Sequence, residues 1–337
     1  MKLGSLRAGG RDGTLVVVAR DLARAVAVRG VAATLQRAIE GWDSVAAELA
    51  RVYDALNGGR CADAFDLDPA DLAAPLPRAY QWLDASAYLN HVELVRKARG
   101  ADMPPEMYDD PLMYQGLSDG FLGPTDPIPG HADWGVDFEA EVAVITDDTP
   151  MGVSAAEAGA HIKLVMLVND VSLRALIPAE VAKGFGFIHG KPASAFSPVA
   201  VTPGELGEAW RDNRLRGRIV CRLNDETIGE PDTGVDMNFD FARLIAHAAK
   251  TRALGAGAII GSGTVSNRDR AMGSACLAEK RALETLESGA PTTPFMKPGD
   301  RVRIEMRDAA GQTVFGAIDQ THGRPRPIDR RPRWRLR

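Results

Sequence analysis

The apolar segments of this chain are short. Residues 15–19, 164–168 and 256–260 are examples, each five residues long. That is strand length, and 34 Gly and 21 Pro punctuate the sequence between such runs. Segments of this kind favour many short strands joined by turns, with a few helices inserted, over regular alternation of strand and helix. None approaches the roughly 20 apolar residues of a membrane-spanning helix, so no membrane is expected as a partner. With 45% apolar and 25% charged residues among 337, the chain has ample material for a packed core. At roughly 150 residues per domain its length suits one large or two ordinary domains.

The organisation follows from local signals. Residues 1–6 and 14–19 flank Ala8-Gly9-Gly10-Arg11-Asp12-Gly13, a hairpin signal. Leu35, Ile39, Trp42, Val45, Leu49, Val52 and Leu56 recur at spacings of three and four, which predicts one amphipathic helix ending at Asn57-Gly58-Gly59. Residues 60–78 read as a surface crossing, with a boundary near residue 75. Beyond it, 138–146 and 164–168 are expected strands, and Ser154 to Glu157 is a capping box. Residues 218–223 and 226–229 form a hairpin signal around Asn224-Asp225, and 241–250 reads as a short helix. Val302, Ile304 and Met306 alternate with charged residues, and a turn at 309–311 leads to an expected partner strand over 313–318. The expected class is α+β, mostly β, divided into a small N-terminal β/α domain (1–75), a catalytic domain (76–320) and a basic Pro/Arg-rich tail (321–337).

Net charge is −5, and the tail alone holds seven Arg and one Asp. The acidic remainder repels nucleic acid, so none is expected as a partner; the tail reads as an extended, solvated segment. Cys61, Cys221 and Cys276 are odd in number and far apart, which argues against a disulfide framework or a zinc site and for a reducing cytoplasm. The apolar stretch 15–19 is too short for a secretory leader and Arg20 ends it.

Three motif-like patterns lack their chemical context. Gly116-Leu117-Ser118-Asp119-Gly120 fits a nucleophile elbow, but Gly123-Pro124 and Pro127 follow before a helix can start. A serine esterase using Ser118 is therefore a weaker alternative. Gly186 to Lys191 lacks a phosphate loop's spacing and has Pro192 in place of Ser/Thr. No H-x-x-x-H occurs.

The acidic residues carry more. Glu139 and Glu141 stand two apart on an expected strand and so share one face. Two carboxylates side by side at the head of an apolar strand repel and resist desolvation, and a hard divalent cation relieves both; a solvated polar face is the alternative. Asp170 ends the run 164–169, with Arg174 four residues on. Asp84 precedes His91 by seven residues, and His91-Val92-Glu93 offers a base with a carboxylate nearby.

Together these residues, with Asn169, the Gly190-Lys191 pair before Ser197-Pro198, the Gly261-Ser262-Gly263-Thr264 turn and Lys297-Pro298-Gly299-Asp300, resemble the fumarylacetoacetate hydrolase family over roughly residues 80–320. Their order is most similar to the bacterial fumarylacetoacetases of that family. The resemblance implies a mixed β-roll catalytic domain and a homodimer. It implies Asp84, Glu139, Glu141 and Asp170 as ligands of a divalent cation, Mg²⁺ foremost, with Mn²⁺ or Ca²⁺ as alternatives. His91 would activate water, Lys191 and Arg174 would stabilise developing negative charge, and Tyr114 and Thr264 would contact a small-molecule substrate. Glu279 stands where the family orients its base, with Glu93 as its rival. Ile177 and Ser86 depart from the pattern, replacing an amide and a tyrosine. The implied reaction is hydrolysis of a C–C bond in a β-diketone acid, fumarylacetoacetate to fumarate and acetoacetate. Acylpyruvate hydrolysis, oxo-acid decarboxylation, dienoate hydration and a non-catalytic metal-binding module are the alternatives.

Overall fold

A computed structural model of the chain describes residues 1–323; the Arg/Pro-rich part of the tail lies outside the described residues. The fold is α+β and mostly sheet. One eleven-stranded sheet runs, in spatial order, Phe65–Asp66, Arg24–Ala27, Thr14–Val18, Lys2–Leu6, Ala200–Val201, Ile162–Asn169, Ala140–Thr146, Ile259–Gly261, Trp82–Ala85 and Met113–Gln115, with Ala195–Phe196 paired beside Ile162–Asn169. All its strand pairs are antiparallel except Ile259–Gly261 with Trp82–Ala85. A second, four-stranded sheet is ordered Glu226–Gly229, Ile219–Leu223, Arg301–Met306 and Ile318–Thr321.

The period of two explains the layers. Leu15, Val17, Leu164, Met166, Ala143 and Ile145 face one core with the helices Leu35–Glu40 and Trp42–Asn57. Their neighbours Val16, Val18, Val165, Leu167, Val142 and Val144 face the other, which packs on Ile219, Val302, Ile304 and Ile318 of the second sheet. A sheet covered on both faces needs apolar residues at successive positions. That is why 164–168 reads as an unbroken run rather than an alternation. Trp82 and Phe196 meet edge to face at 5.6 Å in the helix-side core, and such pairs add about 0.5–1.5 kcal/mol beyond area burial.

Local chemistry accounts for most boundaries. Asn224 and Asp225 carry φ of 51° and 67°, the left-handed pair a two-residue hairpin needs. Ser154 and Glu157 form the capping box of a one-turn helix, Ala155–Ala158. Two expectations needed correction. The helical stripe from Leu35 to Leu56 is two helices broken at Gly41, whose N–H bonds back to Arg37. The partner of Arg301–Met306 is Ile318–Thr321 rather than 313–318: Thr313 makes a single bridge to Arg307, and Gly316 turns the chain at φ 77°. The first 75 residues add strands to the main sheet, since Lys2–Leu6 pairs with Ala200–Val201.

Candidate functional site

Four carboxylates converge at the end of the main sheet. Asp84 alternates with Leu83 and Ala85 on the strand between Ile259–Gly261 and Met113–Gln115, and Glu141 stands opposite Val168 in the central pair. Asp170 follows the last residue of Ile162–Asn169, and Glu139 precedes the first of Ala140–Thr146. All four are buried. Carboxylate oxygens of Asp84, Glu141 and Asp170 lie within 4.8 Å of one another. Gly261 pairs with Asp84 across the parallel ladder, and a Cβ there would sit 2.3 Å from Asp84 Oδ1. Glycine is therefore required for the carboxylate to occupy this place. Two residues on, the N–H of Gly263 donates to Asp84 Oδ1 at 3.0 Å.

The partners divide the cluster. Lys191 Nζ donates to Glu139 Oε2 and to Asp170 Oδ2. Arg174 donates from Nη2 to Glu139 Oε1 at 2.6 Å and from Nε to Asp137 Oδ2 at 2.9 Å. Asp170 also accepts the Tyr114 hydroxyl at 2.5 Å and the Ser194 hydroxyl at 2.6 Å. Among the described residues, fully buried Glu141 has no hydrogen-bond partner on either oxygen. Burial opposes charge on Glu139, but Arg174 and Lys191 outweigh it and hold that carboxyl below the ordinary range. Burial pushes Asp84 up to about 8, with Asp170 adding to the shift. Glu141 is raised well above its ordinary value by burial and by the carboxylates of Asp84, Asp170 and Glu139.

An orphaned, fully buried carboxyl among oxygen-only donors is what a hard divalent cation fits. Asp84, Glu141 and Asp170 would hold it. Glu139, the fourth ligand expected from the sequence, accepts on both oxygens from Arg174 and Lys191, as Asp170 does from Lys191, Tyr114 and Ser194; each would ligate through a remaining lone pair while keeping these donors.

His91 lies in the first turn of the helix Leu89–Lys97. Its Nδ1 is 2.8 Å from Glu279 Oε2, and Glu279 is fully buried on the helix Leu277–Ser288. No hydrogen bond occupies its Nε2 among the described residues. Glu93 is not the orienting group. Two residues along a helix point to different sides, and Glu93 accepts the Tyr108 hydroxyl at 2.9 Å instead. Thr264 sits buried in the Gly261-to-Thr264 turn, and its hydroxyl makes no hydrogen bond among the described residues. Ser118 lies in a loop with no helix after it, so the elbow geometry is absent there. Ile177 packs against Gly190, where a Cβ would come within 2.7 Å.

The sequence reading assigns Asp137 and Ser194 no role and Cys276 none beyond apolar filling. Asp137 caps the helix Leu277–Ser288 by accepting the N–H groups of Leu277 (2.8 Å) and Ala278 (2.9 Å) while holding Arg174. The signal was present as acid–x–acid–x–acid over 137–141. Cys276 is the N-cap of the same helix, and its Sγ accepts the Glu279 N–H. Beside Arg174 a cavity of about 540 Å³ is lined by Arg99, Lys297, Phe295, Met296 and Asp133 among others, a wall with three cationic side chains.

Comparison with known families and structures identifies the family and the fold. The family model described as fumarylacetoacetate hydrolase, C-terminal, matches residues 81–321, and that described as fumarylacetoacetase N-terminal domain 2 matches residues 1–78. No curated protein matches by sequence. Among solved structures, the fumarylacetoacetate hydrolase of the psychrophile Exiguobacterium antarcticum is similar at 20% identity and TM-score 0.64, over 96% of this chain and 99% of that one. Maleylpyruvate hydrolase from Sphingobium sp. SYK-6, in complex with manganese(II) and pyruvate, is 18% identical with TM-score 0.62, over 96% and 100%. A 5-carboxymethyl-2-hydroxymuconate delta-isomerase from Mycobacterium smegmatis is 18% identical with TM-score 0.59, over 97% and 100%. At these identities the likeness speaks for the fold.

Proposed function

The chain belongs to the fumarylacetoacetate hydrolase family, and from that premise we propose that it hydrolyses a C–C bond in a β-diketone acid, with fumarylacetoacetate as substrate and fumarate and acetoacetate as products. The observation that carries this reading is the His91–Glu279 pair set beside the acidic cluster and its two cations. A divalent cation held by Asp84, Glu141 and Asp170 would supply a positive charge that keeps two carbonyl oxygens coplanar and draws electron density from them. Glu279 fixes the His91 ring, with the proton on Nδ1. Nε2 then takes a proton from water, which attacks one carbonyl carbon. Lys191 and Arg174, both buried and held charged by their carboxylates, donate to the developing oxyanion. The C–C bond breaks as that oxyanion collapses, and the departing carbon takes back the proton that His91 Nε2 removed from water. The cationic wall of Arg99, Arg174 and Lys297 favours an acidic substrate.

We extend the proposal to Mg²⁺ as the resident cation, to a homodimer in the cytoplasm and to a place in tyrosine degradation. An acylpyruvate is the second reading, because Ile177 removes one amide donor from the oxyanion side and the dicarbonyl core is shared. The test is ultraviolet loss of fumarylacetoacetate by metal-stripped protein, with and without added Mg²⁺ or Mn²⁺. Metal-restored loss with fumarate appearing is expected. Loss that ignores stripping would overturn the assignment of the acidic cluster, and no loss in any condition would transfer the reading to acylpyruvates.

A further inference from the structure

Glu180 is a buried carboxylate that the chemistry above leaves unused. It lies on the short helix Ile177–Val181. Its Oε1 accepts the N–H of Ile188 at 3.0 Å and of His189 at 2.7 Å, and its Oε2 accepts the N–H of Gly190 at 2.7 Å. The imidazole of His189 turns to the same group, with Nδ1 at 3.7 Å from Oε1. Among the described residues, 185–189 make no other hydrogen bond or ion pair. Gly184 and Gly186 adopt φ of 78° and 101° with open space around them, and Phe185 and Ile188 are 99% and 80% exposed. The segment therefore has no core of its own. Apart from the edge of Phe187 against the Tyr114 ring, at 5.0 Å, one carboxylate holds it.

What it holds bears on the site. Gly190 directly precedes Lys191, whose ammonium spans Glu139 and Asp170. Phe187 packs on Tyr114, whose hydroxyl binds Asp170. Hydrogen bonds from N–H groups to a charged acceptor are about twice as strong as neutral ones. The N–H groups of His189, Gly190 and Ile188 hold Glu180 below the ordinary carboxylate range, so it is ionised at neutral pH.

We propose that Glu180 is a positioning residue: its carboxylate fixes the backbone of 188–190 so that Lys191 and Phe187 stay registered over the acidic centre. The inference rests on the role given to Lys191 above. Glu180→Gln tests it, because the amide nitrogen must face one of three N–H groups and the charge is lost. In the Mg²⁺-loaded enzyme acting on fumarylacetoacetate, kcat is expected to fall on the order of 10–100-fold, with KM changed far less, since misplacement of a reacting group by about 1 Å costs that much. In a Lys191→Met background the same change is expected to cost no more than about twofold, because its effect passes through Lys191. Full kcat in Glu180→Gln, or losses that multiply in the double variant, would overturn the proposal. Amide exchange separates this from the functional reading. Exchange at 188–190 is expected to rise at least about tenfold while the sheet amides keep their protection, with or without turnover of any substrate. Unchanged exchange at 188–190 would overturn the proposal, as would a rise spread over the whole chain. Glu180→Asp serves where Glu180→Gln fails to fold: it keeps the charge but is one methylene too short, and the same local rise is expected.

Discussion

Glu141→Gln separates the cost of the acidic centre from its use. The carboxyl is fully buried and has no hydrogen-bond partner among the described residues, and a buried polar group without a partner costs about 1–3 kcal/mol. A glutamine amide has nearly the same shape and brings two N–H donors beside carboxylate oxygens of Asp84 and Asp170, which lie within 4.8 Å. The metal-free variant should therefore gain about 1–2 kcal/mol, and at roughly 2 °C per kcal/mol for a chain of this size its melting temperature should rise by about 2–4 °C. Divalent cation should act in reverse. At a hundredfold excess over Kd it stabilises the native protein by about 2.7 kcal/mol, roughly 5 °C, whereas in the variant the shift should fall below about 1 °C. Scanning calorimetry with chelator, Mg²⁺ and Mn²⁺ measures both. The pH dependence has a definite sign. Burial raises Asp84 to about 8 and Glu141 well above the ordinary range, so the metal-free fold holds protons that the unfolded chain releases. Metal-free stability should fall as pH rises from about 4 to 8, and cation binding should release protons and tighten over the upper part of that window. A metal-free variant that melts lower while keeping its cation shift would refute the reasoning.

Three further outcomes are expected. His91→Ala should lower kcat by several decades while leaving the cation-induced melting shift intact, and Glu279→Gln should cost about 10–100-fold by loosening the ring; near-normal turnover in His91→Ala would remove it as the base. Gly261→Ala places a methyl 2.3 Å from Asp84 Oδ1 and 2.4 Å from the Trp82 ring, so a loss of about 1–3 kcal/mol with weakened cation binding is expected in chemical denaturation; an unchanged midpoint and affinity would contradict the packing argument. Lys2 is buried, with its ammonium on the Thr313 carbonyl, and burial lowers it to about 8. The unfolded chain binds that proton more tightly, so Lys2→Met should stabilise below pH 8, and its advantage should vanish as pH rises toward 10.5. The full shift corresponds to about 3 kcal/mol, reduced to about 1–2 by solvent reaching the ammonium; a pH-independent difference in urea midpoints would refute this.

Period and turn chemistry made much of the fold legible. The Asn224-Asp225 hairpin, the capping box at Ser154 and the strand ending at Asn169 depend on neighbours a few residues away, and sequence spacing records these directly. The break at Gly41 escaped the pattern because an apolar stripe continues in phase across it. The shift from 313–318 to Ile318–Thr321 escaped because pairing register follows from the whole sheet. The site shows the same division. The spacing of Glu139 and Glu141 placed both on one face of a strand but left a solvated face as the alternative; burial of the pair, with Asp137 two residues before, came from the fold.

The long-range partners belong to tertiary structure. Glu279 lies 188 residues from His91, whereas Glu93 is next but one to it and points elsewhere. Proximity in sequence decided which residues share a strand, a turn or a helix face, since those contacts close over a few bonds of fixed geometry. Only the tertiary fold decided that Glu279 reaches His91 from a second helix, that both Glu139 oxygens bind cations and that Glu141 has no hydrogen-bond partner among the described residues. Those outcomes depend on where side chains meet across strands and helices far apart in the chain. Burial then sets the strength of each interaction by removing the water that would have screened it.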